Sequence, residues 1–383
     1  ADRHHEHWPS RPVAAGFLIQ PDHFDAGFFQ ITPRDADLMD PQERLFLETS
    51  WRALEDAGYP PARLAQQHQR CVGVFAATMY SDYSFVGVEQ LTRGTPISTG
   101  SSTAGIANRV SYAFNLTGPS LTVDTMCSAS LTAVHLAVRS LRDGECQVAL
   151  VGGVNLITHP MRLIEQQQLG MTSPAGRCAP FSADADGFVP GEGAGVLILK
   201  PLAKAVTDGD RVHAVIKGSA VGHTGRTNGY QVPDPDAEAA VMTAALADAR
   251  IPASHVGYVE AHGTGTRLGD PVEAQALTAV LGADASTAVG SVKSNIGHLE
   301  GAAGIAGIIK VVLQMRHRWI APSLHADHLN PLIDWEKTGI TVTRSGIPWL
   351  SGSAASAPSG QVVPPPTWCS PNPNSPSPNH FRS

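Results

Sequence analysis

The sequence lacks an excess of positive charge, any long apolar run and any paired-cysteine spacing, and each absence narrows what the chain does. Lys plus Arg number 27 against 34 Asp plus Glu, a formal net charge of -7. No basic field is therefore present to condense onto a phosphate backbone, and nucleic acid is not an expected partner. The longest apolar stretches, VALVGGVNLI from Val148 and AAGIAGII from Ala302, stop well short of the ~20 residues that cross a bilayer, so no membrane span is expected. The cysteines (Cys71, Cys127, Cys146, Cys178 and Cys369) are odd in number and have no CxxC spacing. That argues against a disulfide framework or a zinc site and for a reducing compartment, the cytoplasm. The opening ADRHHEHWPSRP has neither an initiator Met nor the basic-then-apolar pattern of a leader, and reads as a chain cut from something longer.

What is present is an ordinary globular composition. Hydrophobic residues make up 42% and charged residues 16%, with 37 Gly and 29 Pro, which suits many turns rather than disorder or a coiled coil. The length of 383 residues allows two to three domains or one large domain in two parts. DPQERLFLETSWRALEDAG from Asp40 sets Phe46, Ser50, Ala53, Leu54 and Ala57 on one helical face, with Pro41 at the start and Gly58 at the end. CVGVFAAT from Cys71 and QVALVGGV from Gln147 are short, nearly continuous apolar runs, the pattern of strands covered on both faces. Further strands are expected near Leu121, Val196, Val215, Val256 and Val289, and helices near Leu131, Ala239, Glu273 and Ile305. This alternation implies an α/β fold with helix-covered sheets.

The chemistry-bearing residues lie at the ends of such strands. LTVDTMCSASLTAVHLAVRSL reads as a strand ending near Met126, with Cys127 in the turn and a helix opening at Ser128 and Ala129. A thiol at a helix N-terminus meets free N–H groups and the positive end of the macrodipole, so the thiolate is expected to be favoured and Cys127 is placed as a nucleophile. A free cysteine is commonly a small buried hydrophobe, and the other four are read that way. His262 in YVEAHGTGT and His298 in SVKSNIGHLEGAAG occupy glycine-crowded loops after strand-like runs, where catalytic groups of α/β proteins gather. One Cys with two loop histidines points to nucleophilic catalysis. Thr264 and Thr266 offer hydroxyls to an amide-bearing ligand. GEGAG from Gly191 lacks both the P-loop ending and the Rossmann spacing, so nucleotide binding is not expected.

DTMCSASL, EAHGTGT, KSNIGHLEGAAG, DPQERLFLETSWRALEDAG and PFSADADGFVPGEGAG together resemble the ketosynthase domain of modular (type I) polyketide synthases, among the thiolase-like condensing enzymes. The likeness runs from about Phe17 to Trp349. It implies a layered αβαβα fold of two similar halves, 1–201 with the nucleophile and 202–350 with both histidines. It also implies a homodimer, an acyl carrier protein as partner, and acyl and malonyl-type thioesters as substrates. By the same resemblance Cys127 accepts the acyl chain, and His262 and His298 serve decarboxylation and condensation. Lys293 supports His298 by hydrogen bonding and charge, and Thr264 and Thr266 contact the pantetheine arm. No metal or other bound cofactor is implied, because the phosphopantetheine arm belongs to the carrier. TMCSASLTAVHLA and TNGYQVPDPDA further resemble ketosynthases whose acyltransferase is a separate protein.

The chain also departs from that pattern. Ser182 stands where an aspartate is usual, the family's opening strand is absent before Ala1, and its glycine-rich GFGGTNAH-type ending is missing. The last 33 residues hold 8 Pro and 8 Ser without hydrophobic period, and read as a disordered tail or as an out-of-frame translation of that ending. In the shifted frame, Ala355 to Cys369 can spell GVSAFGxSGTxAHLV, with Trp368 permitting the Leu. The expectation that follows is a chain without its final core strands and with very low condensing activity. The second reading, of a different class, is a non-catalytic relic retaining at most dimerisation or acyl loading.

Overall fold

A computed structural model describes residues 13–227, 229 and 232–349, together with the backbone of 353–356 and 361–363. The helix written into residues 40–58 forms α1 (Pro41–Ala57). The Asp40 carboxylate caps it by accepting from the Gln42 N–H, and Gly58 closes it in the left-handed region at φ 71°. Phe46, Leu47, Ser50 and Leu54 form its buried stripe, which spans the helical face expected from the sequence. The other principal helices are α2 (Ala104–Ala113), α3 (Ala129–Asp143), α4 (Met161–Gln168), α5 (Pro235–Ala249), α6 (Gly269–Leu281) and α7 (Ala303–His317).

The first sheet is built from β1 (Val72–Ala77), β2 (Ser120–Val123), β3 (Val148–Asn155) and β4 (Gly193–Leu199), in the order β2-β1-β3-β4. β1 is parallel to both β2 and β3, and β4 runs antiparallel to β3. Every residue of β1 and β3 is buried, which is why these strands are continuously apolar instead of alternating. The second sheet comprises β5 (Gly218–Ser219), β6 (Val256–Glu260), β7 (Thr287–Gly290), β8 (Ile340–Val342), β9 (Ser353–Ser356) and β10 (Gln361–Val363), ordered β5-β10-β9-β6-β7-β8. α1 and α2 cover one face of the first sheet, α5 and α6 cover the far face of the second, and α3 and α7 pack on each other between the sheets. The Ile305 N–H donates to Ser130 Oγ at 3.0 Å, tying the two central helices together. The five layers place the ends of β2, β6 and β7 around the N-terminal end of this central pair.

Two expectations differ from the structure. Val215 lies outside any strand, and the ladder of that stretch is confined to β5. Its apolar neighbours Ala214 and Ile216 pack against the cluster of Tyr258, Val311, Met315 and Trp349, so the pattern reported packing and not pairing. The tail, expected to leave the core without its last strands, supplies β9, parallel to β6, and β10, antiparallel to β9 and β5. Ladder pairing is made by the backbone, so a Ser/Ala run without hydrophobic period still carries it. The proposed frame slip concerns residues that lie for the most part outside the described ones. No helix among the described residues is long and apolar enough to cross a membrane.

Candidate active site

Cys127 follows β2 by a tight turn. Met126 takes φ 57°, a left-handed conformation that a side chain adopts at some cost, and the Asp124 carboxylate holds its N–H at 2.9 Å. Ser128 Oγ donates back to the Thr125 carbonyl at 2.7 Å, and α3 begins at Ala129. His262 lies just past β6, and His298 lies past β7 after a single turn, Lys293–Ile296. All three residues thus sit beyond the carboxyl ends of parallel strands, where open α/β sheets gather their reactive groups. They converge: the Cys127 sulfur and one ring nitrogen from each histidine all lie within 4.8 Å of one another. The two imidazoles meet edge to face with ring centroids 5.3 Å apart.

The backbone N–H of Glu300 donates to His298 Nδ1 at 3.0 Å, so the neutral ring carries its proton on Nε2. Burial, followed by the Lys293 charge, pushes both histidines well below their ordinary value, and His262 adds to the effect on His298. Two neutral imidazoles at one point suit hydrogen-bond donation to a developing anion. The same tautomer fits metal ligation poorly, although one sulfur and two nitrogens resemble a zinc set. A histidine binding metal through Nε2 donates from Nδ1, whereas here Nδ1 already accepts.

Two sequence expectations are corrected by the electrostatics. The thiol is not shifted towards thiolate: burial, then the Glu300 charge, pushes Cys127 up to about 11, against the pull of Lys293 and a backbone N–H. Burial is the largest cause of that shift, and α3 itself starts two residues later, at Ala129. Lys293, expected to support His298 by hydrogen bonding, donates from Nζ to the His262 carbonyl at 2.5 Å, and its charge lowers the proton affinity of both rings. Glu260 and Glu273 partly offset the burial of Lys293.

The loop bearing His262, Thr264 and Thr266 is held by two acids from the first turns of α6. Glu273 accepts the N–H of His262 on Oε1 at 2.6 Å and that of Gly263 on Oε2 at 2.8 Å. Asp270 accepts from Gly265 at 3.2 Å and from Phe181 at 2.6 Å, and burial raises it to about 7. The Thr264 and Thr266 hydroxyls stand 3.3 Å apart, and Thr266 Oγ1 also accepts from the Gly269 N–H. Sequence reasoning did not single out Asp270, Glu273 or Glu300 by role. The available signal was two carboxylates three residues apart at the opening of a helix that follows HGTGT. Cys146 and Cys178 are buried, as read from the sequence, whereas Cys71, just before β1, is only half-buried, and Cys369 lies outside the described residues. An apolar cavity of about 670 Å³ between β4 and α7, lined by Leu18, Ile305, Ile309 and Leu313, includes none of the three converging residues.

Comparison with known proteins accounts for this arrangement. The beta-ketoacyl synthase N-terminal domain matches residues 6–205 and the beta-ketoacyl synthase C-terminal domain matches residues 213–327. The polyketide synthase ThaG of Burkholderia thailandensis is 54% identical over 87% of the chain, and PksM of Bacillus subtilis is 50% identical over 87%. The chain spans only 6% and 8% of those two proteins. An oxazolomycin ketosynthase domain from Streptomyces albus superposes with a TM-score of 0.86 at 44% identity, covering 91% of this chain and 63% of that one. The ketosynthase from module 6 of the bacillaene synthase of Bacillus subtilis gives 0.84 at 38% identity, covering 91% and 62%. The layered fold is therefore the thiolase-like one that the motifs implied, and the chain belongs to the beta-ketoacyl synthase family, as a ketosynthase of the polyketide synthase type.

Proposed function

We propose that the chain catalyses decarboxylative Claisen condensation in a polyketide assembly line. Cys127 sulfur attacks the carbonyl of a carrier-bound acyl thioester; an acyl–sulfur bond forms as the carrier's C–S bond breaks, and the thiol proton passes to the carrier sulfur, which leaves as its thiol. A malonyl-type extender on an acyl carrier protein then loses CO₂. The resulting enolate carbon attacks the acyl carbon and the Cys127 sulfur departs with its electron pair. His262 and His298 hydrogen-bond the enolate oxygen, which fits two neutral rings held 5.3 Å apart. The observation that carries this reading is the convergence of one sulfur and two imidazole nitrogens within 4.8 Å. The Thr264 and Thr266 hydroxyls are assigned to the phosphopantetheine arm, which the carrier supplies. A homodimer, a cytoplasmic setting and an acyltransferase on a separate protein complete the proposal, the last supported by the TMCSAS and NGYQVPDPD strings.

The test is sequential. Incubation with an acyl-loaded carrier is expected to add one acyl mass to the intact protein, and a malonyl carrier is then expected to yield a β-ketoacyl carrier. Loading without condensation favours the relic that only accepts acyl groups. Absence of both rejects the enzymatic reading.

A further inference from the structure

Glu300 is a non-glycine residue at φ 47° with 1% of its surface exposed. A left-handed conformation at such a side chain costs on the order of 1–3 kcal/mol and persists only where the surroundings over-determine it. Here they do. Glu300 Oε2 pairs with Arg162 Nη1 at 2.9 Å, and Oε1 accepts from the Gln166 amide. Both partners come from α4, one turn apart. Arg162, also 1% exposed, is fixed in turn: Nη1 donates to Asn155 Oδ1 at 2.9 Å, Nη2 to the Leu156 carbonyl at 2.6 Å, and Nε faces Asp82 Oδ2 at 3.3 Å. The guanidinium lies 4.4 Å over the Tyr80 ring. A buried ion pair of this kind is weak evidence for stability, because desolvating two charges can outweigh their attraction. What the pair does hold is the backbone at residue 300, whose N–H is the one bonded to His298 Nδ1.

We infer that Arg162 and Glu300 are a positioning pair for His298: they lock the strained turn so that the Glu300 N–H stays on Nδ1 and the ring proton stays on Nε2. Neither residue touches the reacting atoms, and the positioning role of both runs through the imidazole. This deepens the proposed function and rests on it only for the turnover arm of the test, since the tautomer is measured directly.

The variants are Arg162→Met, Glu300→Gln and Glu300→Gly, each checked for the parent's fold by circular dichroism. Glycine relieves the backbone strain while removing the anchor, so a residue that merely stores strain would tolerate it. Long-range ¹H–¹⁵N correlation of the His298 ring is expected to show the parent protonated on Nε2 only. In Arg162→Met and Glu300→Gly a protonated Nδ1 should appear. The condensation kcat is expected to fall about tenfold or more, with acyl loading not slowed and KM changed little, and Glu300→Gln should fall between these variants and the parent. If Arg162→Met does not fold, the two Glu300 variants decide. Folded variants with the parent's Nε2-protonated ring and the parent's kcat overturn the inference, as does a parent ring protonated on Nδ1. A shifted tautomer in variants of a parent that makes no β-ketoacyl product leaves the positioning role standing and removes the proposed function.

Discussion

His262 and His298 stand edge to face, with ring centroids 5.3 Å apart and planes 84° from parallel, and Lys293 carries a positive charge beside both. Burial is the larger cause of their depressed proton affinity and the lysine the second. The rings are therefore expected to remain neutral from about pH 8 to about pH 6, although an ordinary histidine titrates near 6.5 within that range. The linkage has a definite sign. An unfolded histidine takes up a proton as pH falls through about 6.5, while these folded rings do not, so their contribution to stability is full above that value and is lost towards acid. Histidine ring NMR across this range should show both side chains unchanged. Titration of either near 6.5 contradicts the assignment.

Thiol reactivity should follow the same physics with a different group. Cys127 is raised to about 11 by burial and then by the Glu300 charge, with Lys293 pulling it down and Asp124 pushing it up. Alkylation by iodoacetamide should accelerate with pH throughout the range where an ordinary cysteine, at about 8.5, has already levelled off. Glu300→Gln removes a negative charge and should move the inflection down, while Lys293→Met should move it up. A plateau near neutral pH in the parent would restore the expectation that the helix end dominates.

Among the cysteines, only Cys127 is expected to carry acyl groups. Cys146 Sγ lies 3.4 Å from Ser140 Oγ, and Cys178 Sγ accepts the Val189 N–H at 3.2 Å; both are buried. Cys127→Ser should abolish the acyl mass shift, whereas Cys146→Ser and Cys178→Ser should retain it at a cost of roughly 1 kcal/mol in stability each. An unchanged shift in the Cys127 variant assigns the nucleophile elsewhere.

Much of this architecture is written locally. Pro41, the Phe46–Ser50–Leu54 stripe and Gly58 specify α1 without reference to anything distant, and the apolar runs at Val72 and Val148 specify buried strands. The positions of Cys127, His262 and His298 were legible because strand-to-helix and strand-to-loop junctions leave turn residues behind. Their proton affinities were not, because these depend on desolvation and on Lys293 and Glu300, which folding brings in from elsewhere. Ala214 and Ile216 misled in the opposite direction: packing alone produced a strand-like pattern at Val215. The pairing of β9 with β6 left no side-chain pattern to read, since its bonds belong to the backbone. Glu300 was hidden in plain view two residues after His298, because a left-handed φ at a glutamate leaves no mark in sequence.

The loop that carries His262 gives the sharpest test of how position is maintained. Gly263 sits at φ 41°, where an added Cβ would lie 2.8 Å from the Ser291 Cβ, and Gly265 sits at φ 77°, where one would lie 2.8 Å from the Ala179 nitrogen. The backbone is thus pressed close to two neighbouring segments and has little freedom of its own. Glu273 completes the restraint by accepting two successive N–H groups, one on each carboxylate oxygen, while burial raises its proton affinity. Glu273→Gln preserves shape but offers one acceptor, and its amide places a donor against a donor. One buried N–H is left without a partner, at a cost of about 1–3 kcal/mol. Displacement of the loop moves His262 and the Thr264 hydroxyl together, so condensation should fall on the order of tenfold or more. Acyl loading of Cys127, which lies on the other sheet, should persist. Urea unfolding, the acyl mass shift and the β-ketoacyl product together separate the outcomes. A Glu273→Gln protein as stable as the parent that condenses at the parent rate would show that the loop holds its geometry without the carboxylate.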